Sequence, residues 1–104
     1  MEVCVDSLES AIVAFEGGAN RIELCSSLDE GGLTPTVGTY KCIKKHIPID
    51  SKFKVFCMIR PRAGDFLYSD NEIECMEEEI KQFIELEVDG NQFIFQVFFY
   101  YLMF

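Results

Sequence analysis

The most restrictive feature of this chain is the apolar run Val55-Phe56-Cys57-Met58-Ile59, followed at once by Arg60-Pro61-Arg62, Gly64 and Asp65. The run is too short for a helix and has no polar break, so it reads as a strand buried on both faces, as in a parallel sheet covered by helices. The charges begin where the strand ends. They form a polar cluster at the carboxyl end of a central strand, the place where α/β folds put ligands.

The rest of the chain repeats a strand and a helix around that run. Met1 to Asp6 reads as a first strand, with Asp6 or Ser7 capping a helix and Glu9 placed for a capping box with Asp6. Leu8, Ala11, Ile12 and Phe15 recur at helical spacing until Gly17-Gly18, and Arg21 to Cys25 is a second strand. After a loop marked by Gly31-Gly32, Thr34 as cap and Pro35 at the first helical position open a second helix. That helix carries Val37, Tyr40, Ile43 and Ile47 near one face and closes at Pro48. Beyond the third strand, Ser69 and Glu72 form a capping box for a third helix with Ile73, Met76, Ile80, Phe83 and Ile84 as its buried stripe. The fold class is therefore α/β, with the parallel pairing that helical crossovers permit.

Residues 70–89 carry nine acids and one lysine, whereas residues 41–62 carry seven bases and one acid. This segregation accounts for the net charge of −9 as solvated helix faces plus one anion-friendly loop. A nucleic-acid surface needs a basic excess, so nucleic acid is not an expected partner. Five cysteines with no C-x-x-C pair do not form a disulfide framework, and the opening residues do not resemble a secretory leader. A reducing, intracellular setting is expected. After Asp89-Gly90 the texture changes, with seven aromatic residues and no charge in 91–104. The apolar part of this tail, Phe93 to Phe104, would reach only about 18 Å as a helix, too short for a membrane span. It is either a prolonged fourth strand or a segment foreign to the fold, and its exposed aromatic character favours the second. The expected division is an incomplete domain over 1–90 and a divergent aromatic tail over 91–104.

Strand alternation places Glu2, Cys4 and Asp6 on one face of the first strand, Arg21, Glu23 and Cys25 on that of the second, and Phe56, Met58 and Arg60 on that of the third. Val3, Val5, Ile22, Leu24, Val55, Cys57 and Ile59 take the opposite faces, which helices must cover. A barrel interior accommodates the polar set better than a sheet sandwiched between helices. Cys4, Cys25 and Met58 are soft donors suited to Cu(I) before any hard cation, while buried cysteines also serve as plain packing. Asp6 and Glu23 near Arg60 and Arg62 read either as an acid/base pair beside an anion clamp or as a self-satisfied ion-pair network. Cys42, Cys57 and Cys75 read as core filler, and His46 as complementing a helix end.

Long motifs carry a resemblance. Met1-Glu2-Val3-Cys4-Val5-Asp6-Ser7, Gly17-Gly18-Ala19-Asn20-Arg21-Ile22-Glu23-Leu24-Cys25-Ser26, Glu30-Gly31-Gly32-Leu33-Thr34-Pro35, Met58-Ile59-Arg60-Pro61-Arg62 and Asp65-Phe66-Leu67-Tyr68-Ser69 closely resemble the amino-terminal part of the CutC copper homeostasis proteins. The resemblance is continuous over about residues 1–90 and strongest to the animal cytosolic branch. It implies a (β/α)8 TIM barrel, of which this chain holds about three β-α units, and a role in copper homeostasis in the cytoplasm and the nucleus. It further implies Cu(I) as the bound ion and homo-oligomers in the full-length family. Cys4 and Cys25 match the family positions proposed as copper ligands, and Asp6, Glu23 and Arg60 match its charged barrel mouth.

Two departures qualify the resemblance. Ala63 stands where the family has glycine, which matters only if the backbone there needs a positive φ. The family's later strands, with a histidine-and-arginine segment at the mouth, have no counterpart in the aromatic tail. The expectation is a shortened form binding Cu(I) through Cys4 and Cys25, with a second shell weaker than that of a complete barrel. Its alternatives are a barrel enzyme acting on a small anionic metabolite, with Asp6 or Glu23 as acid/base and Arg60 as anion contact, or a fragment without function.

Overall fold

A computed structural model of the chain describes residues 2–48, 52–87 and 94–99. In chain order the elements are β1 (Glu2–Val5), α1 (Leu8–Glu16), β2 (Arg21–Leu24), α2 (Val37–His46), β3 (Lys54–Ile59), α3 (Asp70–Glu87) and β4 (Ile94–Phe99). The four strands form one sheet in the order β1-β2-β3-β4, and every neighbouring pair is parallel. Parallel neighbours require a crossover between successive strands, and α1, α2 and α3 supply one each.

All three helices lie on one side of the sheet. Val5, Ile22, Leu24, Val55, Cys57 and Ile59 share a single buried cluster with Ala11 of α1, Tyr40 and Ile43 of α2, and Met76 and Phe83 of α3. A sheet wound in one direction with its helices on one face is the arrangement of a barrel wall, not of a doubly wound sheet. The apolar strand faces expected from alternation are the ones the helices cover. Tyr40 and Phe83 meet edge to face at 5.5 Å and Phe15 and Phe53 at 5.2 Å, which ties α2 to α3 and α1 to the entry of β3. Lys44 near the end of α2 donates to the Leu86 carbonyl near the end of α3.

Local signals set the helix starts, with one correction. Of the two caps expected for α1, Ser7 is the one used: its Oγ accepts from the Ser10 N–H at 3.1 Å. Thr36, not Thr34, caps α2, accepting from the Thr39 N–H at 3.1 Å. Thr34 is drawn away by β3: its Oγ1 accepts from the Arg60 N–H at 2.8 Å and its own N–H donates to the Arg60 carbonyl at 3.0 Å. The Ser69–Glu72 capping box forms as expected, with the Ser69 N–H donating to Glu72 Oε1 at 2.9 Å and the Glu72 N–H to Ser69 Oγ at 3.2 Å. On α3, Met76 and Phe83 are buried, but Ile84 is 48% exposed because it follows Phe83 around the helix away from the core. Cys57 is core filler as expected, while Cys75 is exposed and fills nothing. Ala63 is not among the positive-φ residues, so the absence of glycine there strains nothing.

The segment expected to be foreign to the sheet contains β4, which pairs with β3 from Lys54↔Ile94 to Ile59↔Phe99. Of the two alternatives for the aromatic tail, the strand is the one its backbone takes over those six residues. The remainder of the tail, 91–93 and 100–104, lies outside the described residues. At the other edge β1 has no strand partner among the described residues, and beside α1 it borders an apolar groove of about 510 Å³ lined by Val3, Val5, Val13 and Ala14.

The shared core makes a quantitative expectation. Phe83 is fully buried and contacts Tyr40, so Phe83→Ala lowers stability by about 3–5 kcal/mol. A fall in the urea midpoint equivalent to less than about 1 kcal/mol contradicts this packing.

Candidate functional site

The face of the sheet turned away from the helices carries the candidate residues. Register pairs Cys4 with Glu23 and Glu23 with Phe56, and carrying the ladder onward sets Asp6, Cys25 and Met58 in the next inward row. Cys4 and Cys25 therefore share a face on adjacent strands, one row apart. They differ sharply in surroundings. Cys4 is exposed, and its thiol donates to Glu23 Oε2 at 2.9 Å. Cys25 is 1% exposed, and its thiol reaches the Val5 carbonyl at 3.5 Å. Burial, with the charges of Asp6 and Glu23 adding to it, pushes the Cys25 thiol up from 9.0 to about 11.

The loop above these residues is anchored by Arg60. Its Nη1 donates to the carbonyls of Glu30 at 2.7 Å and Gly32 at 3.0 Å, its Nη2 donates to the Gly64 carbonyl at 3.4 Å, and the guanidinium lies 5.2 Å from the Phe66 ring centre. Ser26 and Leu33 bridge the base of the same loop through paired backbone hydrogen bonds. Arg62 organises the next loop, donating to the Asp65 and Leu67 carbonyls at 2.9 and 3.0 Å and pairing with Asp65 and Glu72. The Arg62 guanidinium, then the Ser69 N–H, holds the Glu72 carboxyl below its usual value, so the loop is fastened to the start of α3.

The sequence candidates thus divide. Cys4 and Glu23 are hydrogen-bonded, and Asp6 and Cys25 follow one row further toward the carboxyl rim of β1 and β2. Arg60 and Arg62 are drawn instead into the loops, where backbone carbonyls, Asp65 and Glu72 take up most of their donors. His46 sits at the end of α2 with its Nδ1–H donating to the Cys42 carbonyl at 2.8 Å, the helix-end role expected of it. Sequence reasoning missed Gly32, whose α-carbon faces the Cys25 and Met58 sulfurs; a glycine pair in a loop was the only available signal. Among the described residues, no three His, Cys, Asp or Glu side chains converge as a metal-binding group. Soft ions need no such set, since thiolate and thioether sulfurs alone suit Cu(I).

The CutC family model matches residues 1–94 of the chain. The chain belongs to the CutC family. It is 59% identical over 81 residues to the human copper homeostasis protein cutC homolog, covering 78% of this chain and 28% of that protein. The Drosophila melanogaster homolog is 50% identical over 91 residues, covering 86% and 33%. The chain thus spans about a third of the length of the curated relatives it matches. The crystal structure of a putative copper homeostasis protein CutC from Streptococcus agalactiae superposes with a TM-score of 0.74 at 35% identity, covering 90% of this chain and 42% of that one. The three parallel strands β1 to β3 and their helices therefore match part of the CutC TIM barrel. No helix among the described residues is long and apolar enough to cross a membrane.

Two outcomes follow from the loop geometry. Arg60→Ala should speed amide hydrogen exchange at Gly31, Gly32 and Leu33 by roughly tenfold or more, and unchanged protection there contradicts the anchoring role. Glu72 is depressed in the folded chain, so its contribution is full above about its ordinary value of 4.5 and fades as pH falls through the lower folded value. The stability advantage of the parent chain over Glu72→Gln should therefore be present at neutral pH and shrink in acid. An advantage that grows on acidification contradicts the Arg62–Glu72 pairing.

Proposed function

We propose that this chain binds Cu(I) through the thiolates of Cys4 and Cys25 and serves copper homeostasis, as the names of its relatives indicate for them. The observation that carries this reading is the parallel register of β1 and β2, which sets Cys4 and Cys25 on one face of adjacent strands one row apart, with Glu23 paired to Cys4. Glu23 accepts the Cys4 proton's hydrogen bond, and the negative charge of Asp6 and Glu23 that raises Cys25 also favours a cation. Burial and those two carboxylates disfavour the free Cys25 thiolate. The same site therefore holds a proton until a soft cation displaces it. Copper is the cargo in this account, and no turnover is required of the chain.

The domain reading belongs with this proposal. Residues 1–90 form the copper-binding unit, and 91–104 are a divergent segment that adds β4 to its edge. In this reading the chain acts inside the cell, in cytoplasm and nucleus.

Anaerobic titration of the chain with Cu(I) against a competing chelator, beside a Cys4→Ser/Cys25→Ser variant, tests the reading. The parent chain should take up one Cu(I) tightly, and the variant should lose at least roughly a hundredfold in affinity. Equal binding by the two removes the proposal.

A further inference from the structure

A parallel barrel has no open edge, because its eight strands close on themselves. β1 to β3 match part of such a barrel, and with β4 the described residues form a four-stranded parallel sheet, half of that number. Among those residues the sheet ends at β1 on one side and at β4 on the other. An end strand turns a row of backbone N–H and C=O groups outward, which makes it a template for another strand. Both ends run in the same direction, since every neighbouring pair is parallel.

The helix layer is unfinished at the same two places. α1 lies over β1 and β2, and beside it the groove of about 510 Å³ runs along Val3 and Val5 to Val13, which is 68% exposed. α3 lies over β3 and β4. Its Phe83 meets Tyr40 of α2, and Ile84, about 100° further around the helix, lies on the flank away from α2 and is 48% exposed. Among the described residues of the three helices, Val13 and Ile84 are the only large apolar side chains left exposed. Between them α2, with a helix on each side, has none. Apolar surface is thus uncovered at the outer flanks of the wall and nowhere along its middle.

We propose that two copies of this chain close one eight-stranded parallel barrel about a two-fold axis, the β4–α3 edge of each copy docking on the β1–α1 edge of the other. Rotation about the barrel axis keeps strand direction, so β4 meets β1 of the second copy in parallel, like the pairs within each chain. The two seams are identical and use up both edges, so assembly stops at two copies. With no helix between them, α3 of one copy lies nearest α1 of the other, and Ile84 and Val13 line each seam. The groove along β1 is taken out of water, which supplies the driving force. The inner side, where Cys4 and Asp6 are exposed and Phe56 is half-buried, becomes the barrel interior. This closure goes beyond the copper reading and needs no ion.

Sedimentation equilibrium of the metal-free chain over a wide range of concentration, beside Val13→Lys and Ile84→Lys, tests the closure, with amide hydrogen exchange followed on the same samples. Both substitutions fall at exposed positions, so circular dichroism should show the parent fold in each. The parent should reach a limiting mass of twice 11.9 kDa. Each variant should dissociate at a concentration roughly tenfold higher or more. Exchange in the parent should slow with concentration on β1 and β4 together. A mass of one chain at every concentration, which leaves the edges to some other occupant, overturns the closure, and so does a mass that climbs without limit. Slowed exchange on β1 alone identifies a different dimer and overturns it as well. Parent-like association of both variants removes the assigned seam.

Discussion

The backbone ladder joining β1, β2 and β3 is the constraint on which everything else rests. A shift of one residue between any two parallel strands would turn every side chain of one of them to the other face. With Val5, Leu24 and Cys57 in one row, the helix side receives an unbroken apolar surface. The same register leaves Cys4 beside Glu23 and Cys25 beside Met58 on the inner side. Core and candidate site are thus two consequences of one alignment. Burying Ile22, Leu24, Val55 and Ile59 beneath three helices stabilises by about 1.5–3 kcal/mol for each side chain, so the slipped alternatives are strongly disfavoured.

The arginines at the end of β3 take their meaning from this frame. A buried guanidinium needs several acceptors, and loop carbonyls supply them to Arg60. The loop after β2 is thereby drawn down over the inner face, and Gly32 meets the sulfurs. Arg62 performs the corresponding service one loop later, where the α3 capping box receives it through Glu72. The rim is therefore pre-shaped by arginines that face into backbone, while Cys4, paired with Glu23, is left exposed beside it.

Much of this was readable from residue order. The period of two in the strands fixed the inward and outward sets, and the spacing of Ser69 and Glu72 fixed the start of α3. Cys4, Cys25 and Met58 were legible as one face for the same reason. Thr34-Pro35 carried the local signature of a helix start as well as Thr36 does, and only the distant Arg60 decides between them. The partners of Arg60 were invisible because a carbonyl oxygen is present at every residue and leaves no mark in composition. Gly31-Gly32 announced a loop but not the close approach to two sulfurs, which depends on how that loop is pulled in. The aromatic tail has no period to read, so the strand Ile94–Phe99 emerges only from its pairing with β3. Local spacing is legible where one element determines its own faces, and illegible where a contact distant in sequence chooses between equivalent local signals.

X-ray absorption at the copper edge, on the full chain loaded anaerobically with one equivalent of Cu(I), tests most directly whether the alignment of three strands builds a soft-ion site. The account predicts a first coordination shell made of sulfur alone. A shell dominated by nitrogen or oxygen donors would mean that the inward sulfurs are packing and that copper, if held, is held elsewhere.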